Sequence, residues 1–425
     1  MGGGLLQLVA YGAQDAYITG NPQITFWKGL FKRHTNFAME SFRINFTGQP
    51  QWGTKQTALV GRHADLLYST YVEVTLPKLT AKGQDYYWNN EQNSLGYNLI
   101  KYVELDIGGQ IIDRQYGEFM NLWSFLTRGF SGAGVSLEAM CGKVLTPTAT
   151  NECAPNGRPM SPYVLYIPLY FFFTRNPGAA LPLIALQYHE VKINVLWNPA
   201  QRIAANFNNV SALPQADQAA LYIDYIYLDT EERRRMAQAS HEYLIEQTQY
   251  NEEKGLTGSN TRVDLTFNHP VKELLWVVQP SYYTDCRFAA AQTPPLTVLS
   301  PFKYDKNPIL DQWIQINGQD RLDRRFADYY SKVQPFQHHT GFMPYVMEDG
   351  GGGSYMYSFA LRPEEHQPSG TCNFSRIDTA TIVINMNGNT HINNSDGNNW
   401  DIRVWAVNYN VLRVMSGMGG LAYSN

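Results

Sequence analysis

Two histidine–glutamate pairs, His189-Glu190 and His241-Glu242, come closest to a catalytic motif in this sequence. A zinc-protease helix needs a second histidine four residues after the first, because two imidazoles one helical turn apart bind the metal from one face. Ile193 and Ile245 occupy those positions. Both pairs lie in segments predicted to be strands, so we expect structural histidines beside carboxylates and no metal site.

The other candidate metal-binding, phosphate-binding and catalytic residues also lack the neighbouring residues that such sites require. His338-His339 lies in a predicted loop, 334–341, where adjacent side chains of an extended chain point to opposite sides and do not share a metal. Gly142-Lys143 is followed by Val144 in place of the hydroxyl residue of a phosphate-binding loop. The acidic neighbours Glu231-Glu232 and Glu364-Glu365 give no sign of two carboxylates flanking a cleft. We expect no catalytic, cofactor-binding or metal-binding residues, and a protein that is not an enzyme.

Cysteines and glycosylation sequons carry little functional information. The cysteines are far apart and show no CxxC spacing, which argues against a disulfide framework or a zinc site: Cys141, Cys153, Cys286 and Cys372. Four Asn-x-Ser/Thr sequons occur, at Asn45, Asn209, Asn373 and Asn393. Asn209 and Asn393 lie in predicted loops and are the glycosylation candidates, although the amino terminus lacks a signal-peptide pattern and chance occurrence is favoured.

The composition points to surfaces that are hidden against partners. Only 16% of the 425 residues are charged, against about 25% in an average protein, while 13% are aromatic. The net charge of −4 gives no basic field for nucleic acid, so no direct nucleic-acid binding is expected.

The basic run Arg233–Arg235 follows two glutamates and is interpreted as a linker or as inter-domain ion pairs. The longest apolar run, 164–173, is half of the roughly 20 residues that cross a membrane as a helix.

Alternating apolar and polar residues predict strands along most of the chain. Segment 42–47, for example, places Phe42, Ile44 and Phe46 on one face of a strand. Only 114–128 and 320–333 are predicted to be helical. The pattern therefore indicates an all-β protein with short helices in the connections, and the predicted strands are 42–47, 66–76, 101–112, 163–173, 191–195, 220–229, 263–267, 271–279, 355–361, 380–387 and 401–414.

An internal repeat divides the chain into two similar halves. Ile107-Gly108-Gly109-Gln110 is matched 209 residues later by Ile316-Asn317-Gly318-Gln319, and each follows a strand and precedes an aromatic helix. Two copies of about eight strands joined by long connections favour two consecutive eight-stranded jelly-roll β-sandwiches. The predicted domains are an amino-terminal arm (1–26), a first jelly roll (27–230), a linker (231–240) and a second jelly roll with a carboxyl-terminal tail (241–425).

Several long strings resemble the major capsid proteins of large icosahedral nucleocytoplasmic DNA viruses, with chlorella-virus and iridovirus members as the closest models. The resemblance covers the chain from end to end, and its strings are 6–15, 19–26, 33–38, 182–191, 368–376 and 409–423. The family's fold is two consecutive jelly rolls, which agrees with the repeat found from the residues alone.

The resemblance implies a structural protein of the virion's outer shell. Three chains would form one nearly hexagonal capsomer of six jelly rolls, and capsomers would tile the shell, made and assembled in the host cytoplasm. The implied partners are further copies of the chain, minor capsid and penton proteins, and an internal membrane near the arm; no cofactor is implied. Two alternatives stay open at this point: a minor capsid paralogue, and a double jelly-roll protein that binds or cleaves carbohydrate.

Overall fold

A computed structural model describes most of the chain, and its two compact units, Met1–Phe37 and Ala38–Asn425, are treated separately. The first unit contains two short helices, α1 (Gly3–Val9) and α2 (Ala16–Thr19), which bury none of their residues. The Asp15 carboxylate accepts a hydrogen bond from the Gly12 amide at 2.7 Å between them. The described residues are 2–27, 29, 31–77, 95–127, 140–142, 163–199, 203, 215–257, 259–281, 307–341, 343, 353–387 and 399–423.

Two antiparallel sheets form a first sandwich. Sheet A has the strand order β1-β9-β3-β6 and sheet B the order β2-β8-β4-β5, with the short β7 paired to β3. Counting only the eight long strands, consecutive strands alternate between the two sheets except at the hairpin of β4 and β5, which lie side by side in sheet B, as in a jelly roll. The strands are β1 (Phe37–Asn45), β2 (Lys55–Leu59), β3 (Leu66–Leu76), β4 (Ile100–Ile107), β5 (Gln110–Tyr116), β6 (Tyr163–Pro168), β7 (Leu181–Pro182), β8 (Val191–Trp197) and β9 (Gln218–Leu228).

The second half of the chain repeats this arrangement. Sheet C has the order β10-β19-β12-β16 and sheet D the order β11-β18-β13-β14, while β17, β20 and β15 pair with β12, β19 and β13. Its strands are β10 (His241–Leu256), β11 (Asn260–Asp264), β12 (Pro270–Pro280), β13 (Ile309–Ile316), β14 (Gln319–Asp320), β15 (Arg325–Phe326), β16 (Ser354–Ser358), β17 (Cys372–Asn373), β18 (Ala380–Met386), β19 (Trp400–Met415) and β20 (Met418–Leu421).

Short helices occupy the connections between strands. Four-residue α5 follows β6, and α6 joins the two sandwiches, where the sequence predicted a linker. A π-helical turn, Tyr329–Val333, leads directly into α7. The α-helices of the second unit with at least four described residues are α3 (Leu95–Leu99), α4 (Gly117–Leu126), α5 (Phe172–Arg175), α6 (Thr230–Gln238) and α7 (Gln334–His338).

The all-β double jelly roll is confirmed, but several predicted elements were wrong. The predicted strand 101–112 is a hairpin, because Gly108 and Gly109 both adopt positive φ and reverse the chain. The predicted strand 163–173 ends at 168 and continues into α5. The predicted helix 114–128 begins only at Gly117, and 320–333 contains two short strands before its helical turn. Residue patterns did not indicate β2, β10 or the helix α6, and β13, the strand expected before the second hairpin, had been given no bounds.

Sheet C is buried on both faces, and this joins the two sandwiches. On β19, Val404 and Ala406 face the core of the second sandwich, whereas the alternate residues Trp405 and Val407 belong to the core of the first. Leu275 on β12 follows the same alternation as Trp405. Successive side chains of a strand point to opposite faces, so the outer face of sheet C packs against the first sandwich.

Candidate functional site

The two histidine–glutamate pairs bind backbone groups. His189 lies in the loop before β8 and not in a strand, which corrects the sequence prediction, and its Nδ1 is 3.0 Å from Gly419 O. His241 opens β10, with Nε2 2.7 Å from Met236 O. The adjacent glutamates pair elsewhere, Glu190 with Lys192 and Glu242 with Arg413.

His338 is the last residue of α7, which corrects the predicted loop 334–341, whereas His339 follows the helix outside any regular element. Their side chains diverge, as expected for two residues that share no ligand. His338 Nδ1 is 3.1 Å from Leu361 O on the surface. His339 is buried between two carboxylates, 2.9 Å from Glu273 and 2.9 Å from Glu364.

The remaining candidate residues take part in local ion pairs or lie outside the described residues. Arg233 of α6 pairs with the buried Asp65 of the first sandwich at 3.0 Å, and Arg234 pairs with Glu231 at 2.9 Å. Cys141 is buried, with its Sγ 3.5 Å from Tyr166 O. The glycosylation candidates Asn209 and Asn393, and also Cys153, Cys286, Lys143 and Val144, fall outside the described residues.

The described residues contain neither a metal-binding cluster nor a membrane-spanning helix. No cluster there brings together three or more His, Cys, Asp or Glu side chains that could hold a metal ion. No helix among them is long and apolar enough to cross a membrane.

Buried ionic groups concentrate at the junction of the two sandwiches. Lys272 of β12 is fully buried, and its Nζ lies 2.8 Å from Glu246 of β10. Arg175 of α5, from the first sandwich, binds the same Glu246 at 2.5 Å and stacks over Trp123 of α4 at 4.2 Å. Burial alone would raise the pKa of Glu246, but Lys272 and Arg175 outweigh it and hold that pKa below its usual value. The carboxylate therefore stays ionised and bridges the two sandwiches.

His339 forms a second buried ionic group beside the first. Burial would lower the pKa of its imidazole, but the carboxylates of Glu273 and Glu364 outweigh this and raise it to about 9. The ring is therefore a cation at neutral pH, and it meets Trp123 of the first sandwich edge-on at 6.1 Å. Sequence reasoning considered His339 only as one of two adjacent loop histidines and missed its ion pairs, because the two carboxylates are distant in the chain.

The segment after His339 binds the end of α4. The Gly341 amide donates to Leu126 O at 2.7 Å, and the Thr340 hydroxyl lies 3.3 Å from Thr127 O. A Cβ atom at Gly341 would lie 1.9 Å from Phe125 O. Only glycine allows the two backbones to approach this closely.

The edge strand β10 is held by side chains of β5. Buried Asp113 accepts a hydrogen bond from the Thr248 amide at 2.9 Å, and the Gln247 side chain donates to Ile112 O. Burial raises the pKa of Asp113 to about 6, although the Thr248 amide and Gln115 favour its ionised form. Tyr116 and Tyr250 stack across the same seam at 4.2 Å. The exposed edge that β10 would otherwise present is thus covered by the first sandwich.

The carboxyl-terminal strand β20 adds a further contact. It pairs with β19, while the Tyr188 amide of the first sandwich donates to Gly417 O at 2.9 Å. The segment at Gly417 thus links the end of the second sandwich to the first.

A cleft of about 270 Å³ at the junction bears on the carbohydrate alternative. Tyrosines and carboxylates line it, as a sugar site would require. The rings of Tyr116 and Tyr250 are stacked on each other, however, and Glu118 is bound to Arg403 at 2.7 Å. These groups hold the two sandwiches together, so the cleft gives no support to sugar binding.

Comparison with known proteins assigns the family. A family model described as the large eukaryotic DNA virus major capsid protein matches residues 232–420, and one described as the major capsid protein N-terminus matches 25–229. The chain belongs to the major capsid protein family of large eukaryotic DNA viruses.

Relatives and solved structures agree along the whole length. The chain is 45% identical to the major capsid protein of Pyramimonas orientalis virus and 40% identical to that of Paramecium bursaria Chlorella virus 1, and each alignment covers 100% of both chains. A chain in the quasi-atomic model of the PBCV-1 virus capsid has a TM-score of 0.75 at 34% identity, covering 94% of this chain and 100% of that one. This capsid protein is therefore a structural component of the virion shell, and the resemblance found from its sequence is confirmed.

Proposed function

We propose that this capsid protein forms homotrimers, and that each trimer is a pseudo-hexagonal capsomer of six jelly rolls that tiles the facets of an icosahedral shell. The observation that carries the proposal is the junction, where buried ion pairs and a shared core lock two copies of one fold into a single rigid body. A rigid pair of similar modules, repeated three times around an axis, places six similar modules in a ring.

The proposal divides the chain as the sequence predicts, into an arm (1–26), jelly rolls at 27–230 and 241–425, and a linker at 231–240. The matched ranges 25–229 and 232–420 support that division. The role is structural and not enzymatic, and assembly takes place in the host cytoplasm. Minor capsid and penton proteins complete the shell around the capsomers.

The oligomeric state tests the capsomer directly. The purified full-length chain should sediment at three times its mass of 48.3 kDa, at concentrations well below those of assembly. A stable species of 48.3 kDa under the same conditions would contradict the proposal.

The amino-terminal arm is proposed to contact minor capsid proteins or the layer over an internal membrane. Its helices α1 and α2 bury none of their own residues, although α1 contains Leu5, Leu6, Leu8 and Val9. Deleting residues 2–20 should leave trimers intact and reduce the yield of closed shells in infected cells. Shells of normal number and composition from the deleted chain would rule out this role.

A further inference from the structure

The two sandwiches correspond residue by residue around one hairpin. In the first sandwich Tyr116 lies opposite Tyr102, and in the second Phe326 lies opposite Asp311. Positions 102 and 311 are 209 apart, and positions 116 and 326 are 210 apart. Both hairpins turn through two residues of positive φ, Gly108-Gly109 and Asn317-Gly318. The correspondence extends into the following helices, where buried Met120 is matched by buried Tyr330.

The surface that the first sandwich buries at the junction is exposed in the second. Tyr116 stacks on β10, whereas its counterpart Phe326 is 72% exposed. Leu126 is fully buried at the end of α4, whereas its counterpart Phe336 in α7 is 85% exposed. Asp113 is buried and binds the edge of β10, whereas its counterpart Asp323 lies exposed. We call Asp323, Phe326, Val333 and Phe336 the free junction surface.

The outer face of sheet A, which corresponds to the covered outer face of sheet C, is likewise exposed. The outer face of sheet C is covered by the first sandwich, but the same face of sheet A carries exposed Val164 and Tyr166, beside a Tyr71–Tyr222 stack at 5.1 Å. The edge strand β1, the counterpart of β10, is exposed except at Phe42 and Ile44. An uncovered edge strand and an aromatic face are surfaces that soluble proteins ordinarily protect.

A cation beside the free junction surface is opposite in sign to acidic groups on the outer face of sheet A, whereas Asp323 within that surface shares their sign. Glu73 and Asp224 lie two residues after Tyr71 and Tyr222 on β3 and β9, so these two acidic groups share the outer face of sheet A with the stacked tyrosines. Next to Phe326, exposed Arg325 lies over Tyr329 at 4.6 Å. Ion pairs of this kind already cross the junction within the chain, between Arg175 and Glu246 and between Arg403 and Glu118.

We propose that the free junction surface of one copy covers the outer face of sheet A and the edge of β1 in a second copy, in the way the first sandwich covers sheet C within each chain. The contact joins two different surfaces, so it is heterologous, and repetition around an axis closes it into a ring. This inference rests on the proposed capsomer and adds the surfaces that build it.

Two variants test it, each placing charge on one of the two surfaces. Phe326→Asp with Phe336→Asp alters the free junction surface, and Val164→Asp with Tyr166→Asp alters sheet A. Each variant should sediment as a folded monomer, with the far-ultraviolet circular dichroism of the parent. Leu59→Asp, an exposed apolar residue on the edge of sheet B, is the matched control and should remain a trimer.

Mixing the variants gives the decisive result. Each retains the surface that the other has lost, so an equimolar mixture should form a 1:1 dimer that cannot close into a ring. This outcome also shows that both variants are folded.

The inference is overturned if the Phe326/Phe336 variant remains a trimer, or if the mixture contains only monomers. A wild-type chain that is itself monomeric would instead contradict the proposed capsomer. Failure of the proposed contact surfaces and failure of the proposed trimer are therefore distinguishable.

Discussion

At the scale of single residues, the junction depends on charges that are expensive to bury. Lys272 has no exposed surface, and burial lowers its pKa despite the attraction of Glu246. Such groups contribute little net stability when paired, but removing one partner leaves the other uncompensated. Their main effect is therefore on specificity, because only one alignment of the two sandwiches satisfies them all.

Glu246→Gln should destabilise the protein strongly. It leaves Lys272 and Arg175 without their shared carboxylate, and breaking a buried pair in this way costs about 3–5 kcal/mol. The free energy of unfolding, measured by denaturant titration, checks this. Glu242→Gln is the control on the same strand, because its exposed pair with Arg413 at 2.8 Å is worth at most about 1 kcal/mol. Equal losses from both variants would contradict the account of the junction.

His339 should make stability depend on pH in the alkaline range. The pKa of its imidazole is raised from 6.5 to about 9 in the folded state. Its contribution is therefore fully present below pH 6.5 and is lost as the pH rises through 9. The melting temperature should fall between pH 7 and pH 9.5, and His339→Gln should remove that part of the fall. A variant with the same alkaline profile as the parent would show that the imidazole is not a cation between Glu273 and Glu364.

Gly341 should not tolerate any side chain. A Cβ there would collide with the backbone of α4, and overpacking of this kind costs about 1–3 kcal/mol. Gly341→Ala should lower the melting temperature by several degrees. Gly178→Ala is the control, because its nearest contact would be an ordinary 3.4 Å. A Gly341→Ala protein as stable as the parent would mean that the approach to Leu126 is not required.

At the scale of elements, β20 connects the end of the chain to the first sandwich. Removing the residues after Met415 takes away its pairing with β19 and the Gly417 carbonyl that Tyr188 binds. Amide hydrogen exchange should then become faster at Tyr188 and on β19 near Leu412, while the centre of β3 stays protected. Unchanged exchange at Tyr188 would show that the tail does not contribute to the junction.

Strand positions were predictable from the sequence where apolar residues occupy every second position of the strand. The bounds of 66–76 were correct to the residue, and 401–414 differ from β19 by one residue at each end. β10 was missed because Glu246, Gln247 and Gln249 interrupt its apolar residues with polar groups that bind the first sandwich or a neighbouring loop, so no apolar alternation marks the strand. His339 was unpredictable for a similar reason, since only the folded sheet brings Glu273 and Glu364 to it.

At the scale of the whole molecule, the proposed tiling follows from the duplication of one fold within the chain. One junction is formed within the chain, while the corresponding surfaces around Phe326 and around Tyr166 are exposed, as the proposed contact with a second copy requires. Large permanent interfaces bury about 2,000 Å² or more and are rich in apolar residues. A chain with 16% charged and 13% aromatic residues is suited to such contacts.

The most direct test of this account is the symmetry of the isolated particle, determined from electron-microscope class averages of the purified full-length protein. The account predicts nearly hexagonal particles with a three-fold axis and six lobes of similar size. Two-lobed particles without rotational symmetry, seen at every protein concentration, would contradict it.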